Sequence, residues 1–209
     1  MPIFSSETEA IKVHESYHID TDQEGKFSPT HTGWSRSKQL LDWIPEGSLF
    51  VLGVGCNSGG LEKIILQHKK GSIVYGIDVN KDLVGLAIQK GIISKVAKAE
   101  DLPFKDGFFD VVILSEILEH VFDVEKVVNE SLRVLKKGGL IIGSVPHPKG
   151  FNAQKGVENH LYHTRIFTRQ ILKKTFKMLG NFQIIDIGYN TEDKSFKIPQ
   201  WMTFRGIKC

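Results

Sequence analysis

Two carboxylates and an imidazole stand close together at Glu116, Glu119 and His120, a spacing of i, i+3 and i+4. If this stretch is helical, all three share one face. Oxygen donors joined by a histidine suit Mg2+ or Mn2+ better than a structural zinc. A fourth ligand would come from His160 or His163, in a polar stretch further along the chain. The same imidazoles can move protons. His120, His147 and His163 are candidate general bases, joined by His14 and His18 if the N-terminal segment closes over them. The plainer alternative for each is capping or core packing.

A second constellation is rich in glycine. Residues 49–54 form an apolar run of the kind expected for a strand buried on both faces. The run passes into Gly55-Cys56-Asn57-Ser58-Gly59-Gly60, after which Leu61, Ile64, Ile65 and His68 recur at helical spacing. Strand, glycine-rich turn and helix together let a ligand approach backbone N–H groups at a helix N-terminus. A second apolar run, residues 73–78, ends in Asp78, placed to hold ribose hydroxyls. Turn and acid together describe an adenosine site without separating a dinucleotide from its relatives.

The elements that must position these residues alternate. A short amphipathic helix with Leu40, Leu41 and Ile44 is expected before Pro45. Further helices are expected around residues 83–88, 124–136 and 169–179, and further strands at 92–97, 110–114 and 140–145. Two last β-like segments, 182–189 and 196–204, flank a polar turn and suit an antiparallel pair. Strands alternating with helices imply a parallel sheet covered on both faces. Ligands of such sheets bind beyond the carboxyl ends of the strands, where strand order reverses. The glycine turn, Asp78, Glu100, residues 115–120 and residues 146–151 all fall at those ends.

Composition sets the frame. A chain of 209 residues holds one α/β domain with a full core. A net charge of +3, without a dense basic block, does not call for nucleic acid. Cys56 and Cys209 make no disulfide framework, and the first residues show no basic-then-apolar leader, so a cytoplasmic protein is expected. No apolar run reaches membrane-spanning length. Residues 1–32 are polar with scattered aromatics and read as an N-terminal arm or a lid, with the domain proper at 33–209.

Five segments then carry a resemblance: residues 51–59, 76–78, 99–104 and 109–112, and Leu132-Arg133-Val134-Leu135-Lys136-Lys137-Gly138-Gly139. In order and spacing they resemble the class I S-adenosylmethionine-dependent methyltransferases, over roughly residues 35 to 190. The resemblance implies a doubly wound, seven-stranded, mostly parallel sheet with an antiparallel strand at its edge, the last in sequence. It places Gly55, Cys56, Asn57 and Gly59 in the turn under the methionine part of the cofactor. It places Asp78 and Val79 at the ribose, Ala99, Glu100 and Asp101 at the adenine, and Ser115 beside the methyl sulfonium. Three positions depart from the family pattern. Gly53 stands where an acid usually helps fix the methionine ammonium, Asn57 where glycine is usual, and Lys98 where an acid often reaches the adenine. Asn57 is tolerable because asparagine accepts left-handed backbone better than most residues.

The stretch His160-Leu161-Tyr162-His163, leading to Phe167-Thr168-Arg169, also resembles the small-RNA 3′-terminal 2′-O-methyltransferases. Those hold a divalent metal with a Glu-x-x-Glu-His motif and a distant histidine. That resemblance matches Glu116, Glu119, His120 and His163 to the metal ligands. Ubiquinone-pathway O-methyltransferases carry a similar Glu-x-x-Glu-His run. The expected activity is methyl transfer from S-adenosylmethionine to a small-molecule acceptor, at a hydroxyl, with His120 and His163 as catalytic residues. Phe151, Tyr162 and Trp201 are candidates to line the acceptor pocket. The rivals are a metal-assisted RNA ribose 2′-O-methyltransferase and an inactive scaffold of the same fold.

Overall fold

The computed structural model describes residues 34–149, 163–177, 181–189 and 199–209. Residues 1–33, with His14 and His18, lie outside the described residues, as do Phe151, His160, Tyr162 and residues 190–195, where a turn is expected.

Helix α1 (Trp34–Trp43) precedes strand β1 (Phe50–Val54), helix α2 (Gly60–His68), strand β2 (Ile73–Asp78) and helix α3 (Lys81–Gln89). Strands β3 (Ile93–Val96) and β4 (Phe109–Ser115), helix α4 (Val124–Val134) and strand β5 (Leu135–Pro146) follow. Helix α5 (Arg169–Lys177) and strands β6 (Phe182–Tyr189) and β7 (Trp201–Lys208) complete the order. The seven strands form one sheet in the order β3-β2-β1-β4-β5-β7-β6. Strands β1 to β5 pair in parallel. The last strand is antiparallel, as expected, and runs against both β5 and β6, so β6 forms the edge itself.

The period-2 alternation of a strand decides which helices cover which face. Val51, Val111 and Ile113 point into a cluster with Leu40, Ile44, Ile64, Ile65 and Ala87, under α1, α2 and α3. Leu52, Val112 and Leu114 point the other way, to Val127, Val128, Leu132, Leu172 and Phe176 of α4 and α5. Both faces are buried, which is why these strands read as unbroken apolar runs. Among the described residues, no helix is long and apolar enough to cross a membrane.

Three boundaries differ from those expected. Helix α4 stops at Val134, not residue 136, because Leu135 is taken into β5 by pairing with Phe109. The Lys-Lys-Gly-Gly stretch is then a bulge within β5, between Leu135 and the resumed pairing of Leu140 with Val111, and Gly138 turns through φ +75°. The carbonyls at the end of α4 meet Lys208 instead, whose Nζ donates to Leu132 O at 2.7 Å and Leu135 O at 2.8 Å. The final strand runs from Trp201 to Lys208, later than the expected 196–204, with Trp201 opposite Pro146 and Ile207 opposite Leu140.

Candidate active site

Strand order reverses between β1 and β4, and the turn after β1 lies at that point. Its backbone is left-handed three times, at Gly55 (φ +70°), Asn57 (φ +51°) and Gly59 (φ +76°). Gly55 is constrained twice over, since an added Cβ would also come 2.7 Å from Ile117 Cδ1. Asn57 accepts the left-handed position, and its Oδ1 takes the N–H of Ser58 at 2.6 Å. Cys56 ties the turn to β2 through its backbone, its N–H donating to Ile77 O at 2.8 Å, while its buried thiol packs on Gly76 and donates to Asn57 O at 3.5 Å.

Asp78 ties the turn to the end of β2. Its Oδ2 accepts the N–H of Asn57 at 2.9 Å, and its Oδ1 accepts the N–H of Asn80 at 2.9 Å. Burial pushes its carboxyl above the ordinary range, and the backbone donors of Asn80, Asn57 and Val79 pull it back. Asn80 in turn caps α3, accepting from Asp82 and Leu83 N–H. Val79, half-buried, follows Asp78 directly.

Past β3, Ala99 is buried and Glu100 half-buried in a turn, and Asp101 is exposed. Arg133 holds the following loop, donating to Leu102 O at 2.9 Å, Phe104 O at 2.8 Å and Asp106 Oδ1 at 2.7 Å. Ser115 ends β4 with its Oγ 3.2 Å from Ser144 Oγ on β5.

The stretch after Ser115 is a turn, not a helix. Glu116 is left-handed (φ +54°), and His120 N–H closes back on Ile117 O at 3.0 Å. The helical face expected for Glu116, Glu119 and His120 is therefore not formed. Glu116 instead meets Arg36 of α1, with Nη1 3.3 Å from Oε2, and Arg36 stacks on Trp201 at 5.1 Å. Glu119 is buried, with neither carboxylate oxygen hydrogen-bonded in the described structure. Burial and the neighbouring Glu116 push its carboxyl well up.

His163 reaches this place through its neighbours. Thr164 N–H donates to Glu119 O at 2.7 Å, and Thr164 Oγ1 donates to Glu119 O at 3.0 Å and Val121 O at 3.1 Å. Arg165 adds a bond to Phe122 O at 2.6 Å. The His120 and His163 rings meet edge to face with centroids 4.8 Å apart. One ligand atom each from Glu119, His120 and His163 lies within 4.8 Å of the others. His147 is apart from them, against Tyr189, with Lys149 N–H donating to its Nδ1 at 3.1 Å. Burial and Lys149 hold it below the ordinary imidazole value.

Two residues of this site escaped the sequence reading. Arg36 had no local signal to distinguish it from other helix cations. Glu62 did have one: it lies on the apolar side of α2, among Leu61, Ile64 and Ile65, where an acid is out of place.

Comparison with known proteins agrees with this architecture. Residues 52–143 match a family model described as a methyltransferase domain. An uncharacterized protein of Methanocaldococcus jannaschii is 37% identical over 108 residues, covering 52% of this chain and 49% of that protein. The ubiquinone biosynthesis O-methyltransferase of Pseudomonas fluorescens is 31% identical over 159 residues, covering 68% of this chain and 65% of that enzyme. The chain thus spans about half the length of the first and just under two thirds of the second. A solved S-adenosylmethionine-dependent methyltransferase from Thermotoga maritima superposes with a TM-score of 0.76 at 20% identity, over 96% of this chain and 100% of that one. The sheet order, the glycine turn tied to Asp78 and the family match together place this chain among the class I S-adenosylmethionine-dependent methyltransferases.

Proposed function

We propose that the protein transfers the methyl group of S-adenosylmethionine to a hydroxyl of a small-molecule acceptor. The observation that carries this reading is the turn from Gly55 to Gly59 locked to Asp78 at the strand-order reversal. The turn fits the cofactor: its glycines expose backbone where a side chain would intrude, and Asp78 has lone pairs left for ribose hydroxyls. When bound, S-adenosylmethionine would supply a sulfonium methyl electrophilic enough to be taken by an acceptor oxygen. The chain's part is positioning and proton handling. Ala99, Glu100 and Asp101 flank the adenine, Ser115 lines the wall near the methyl, and His120 takes the hydroxyl proton, with His163 beside it. The P. fluorescens relative, an O-methyltransferase, supports oxygen as the acceptor atom. Two free cysteines, Cys56 buried and Cys209 exposed, accord with a reducing, cytoplasmic setting.

A second reading rests on the buried Glu119 carboxylate, which accepts no hydrogen bond among the described residues and lies 3.9 Å from His120 Nε2. Glu119, His120 and His163 would hold Mg2+ or Mn2+, a charge able to lower the pKa of an acceptor hydroxyl. Glu116, occupied with Arg36, would support such a site from outside it.

Calorimetric titration with S-adenosylmethionine tests the first reading, and a methyl-transfer assay with and without chelator tests the second. Micromolar binding is expected, with a loss of about tenfold or more in Asp78→Ala, the scale of charge-assisted hydrogen bonds. Failure of well-folded protein to bind removes the methyltransferase reading. Activity that survives chelator unchanged removes the metal reading alone.

A further inference from the structure

Beneath the glycine turn lies a buried carboxyl group that the proposed mechanism does not use. Glu62 sits in the first turn of α2 at 4% exposure. Its side chain runs back beneath the glycine turn to the end of β1. A Cβ added to Gly53 would fall on Glu62 Oε1, and would lie 2.8 Å from Glu62 Cδ. Gly53 is an ordinary strand residue, paired with Gly76 and Ile113, and its φ is not left-handed. Space, not backbone conformation, is therefore what glycine provides at this position. A carboxylate borne on residue 53 would occupy the same volume that Glu62 fills from the neighbouring helix.

The groups around Glu62 come from three elements. Asp78 faces it from the end of β2, the Cys56 thiol from the turn, and Lys90 from the C-terminal end of α3. Lys90 is also engaged by Ser58, its Nζ donating to Oγ at 3.1 Å. Burial and Asp78 push the Glu62 carboxyl up to about 8, against the pull of its own backbone N–H and Lys90. Two buried carboxyls at the foot of one turn, with Lys90 divided between Glu62 and Ser58, leave room for a further cation.

We propose that Glu62 is the acid that receives the ammonium of the cofactor's methionine part, in contact or across one water, through the space vacated at Gly53. The assignment rests on the methyltransferase reading. Gly53, the position where an acid is expected by resemblance, and Glu62 then form one relocated function: the charge is kept and the element that carries it has changed. Pairing with an ammonium favours the ionised form. On cofactor binding at pH 7, the Glu62 carboxylic acid thus gives up its proton to the buffer and becomes a carboxylate.

Calorimetry with S-adenosylhomocysteine, which keeps the ammonium, tests this at pH 7 in buffers of different ionisation enthalpy. Wild type is expected to release close to one proton per ligand. The isosteric Glu62→Gln is expected to lose most of that release and about ten- to a hundredfold in affinity. Glu62→Ala should weaken binding likewise, and the double variant Gly53→Asp/Glu62→Ala should restore it. Proton release and affinity that are unchanged in Glu62→Gln overturn the assignment while leaving the methyltransferase reading intact. Affinity lost with proton release retained also overturns it, since Asp78 would then be the group that titrates. A folded wild type that binds neither cofactor nor product overturns both.

Discussion

A buried acid is the most consequential residue type in this site, and Glu62 shows why. Its carboxyl titrates at about 8 in the folded protein against an ordinary 4.5. Below pH 4.5 it is protonated in both states and contributes fully. Between 4.5 and about 8 the folded state holds a proton that the unfolded chain has released, so stability falls as pH rises through that window. Above it the loss is complete. Denaturant unfolding of ligand-free protein at pH 5, 6.5 and 8 should show this decline, and Glu62→Gln should flatten it. Some slope should remain, because burial also raises Asp78, Glu116 and Glu119. A wild-type stability that rises across the window would show that Glu62 is ionised in the free protein. Asp78 differs in kind: three backbone donors already stabilise its charge, so it serves the turn before any ligand arrives.

At the scale of elements, the site depends on how segments are fastened to the sheet. The segment at residues 163–168 is held against the turn after β4 chiefly by Thr164 and Arg165. Thr164→Val removes the hydroxyl that two carbonyls share, while Glu119 O keeps the Thr164 N–H and Val121 O keeps the Arg165 guanidinium. A loss of about 0.5–1.5 kcal/mol is expected in chemical denaturation. Thr164→Ser, which keeps the hydroxyl, should recover most of it. If His163 acts in the chemistry, the valine variant should lose activity beyond its loss of folded protein, because the His120–His163 contact depends on this anchor. Legibility in sequence followed the same division. Strands β1, β2 and β4 were plain because both-face burial leaves unbroken apolar runs, and the glycine turn with Asp78 was plain because its parts are local. The end of α4 was not, since pairing of Leu135 with Phe109 overrides a strong helix-stop pattern. The helical reading of residues 116–120 failed for a related reason: β4 delivers Glu116 in a left-handed turn that spacing alone does not reveal. Contacts between distant segments, Arg36 with Glu116 and Glu62 with Gly53, leave little trace in local pattern. Residue types alone left His160 and His163 as equals, and the anchoring of Thr164 is what brings His163 to His120.

On the scale of the whole molecule, the sheet has two halves that meet at the β1–β4 pair. One half, β3-β2-β1, carries the glycine turn, Asp78 and residues 99–101, and the other, β4-β5-β7-β6, carries Ser115 and the Glu119-His120-His163 group. The β1–β4 register runs over three residue pairs, Val51 to Gly53 against Val111 to Ile113, and ends just before the glycine turn. A ligand seated above that seam touches both halves and binds only the folded sheet, so it should stabilise the domain as one unit. At a hundred times its dissociation constant, such a ligand adds about 2.7 kcal/mol. For a chain of 209 residues, each kcal/mol raises the melting temperature by about 2–4 °C. S-adenosylhomocysteine at that concentration should therefore shift the thermal transition upward by about 5–10 °C, as a single step. At the same ligand concentration the shift should fall to about half or less in Asp78→Ala, which removes the fastening on one half only. A rise confined to one of two separate transitions would mean that the halves melt independently and that the ligand grips one of them alone.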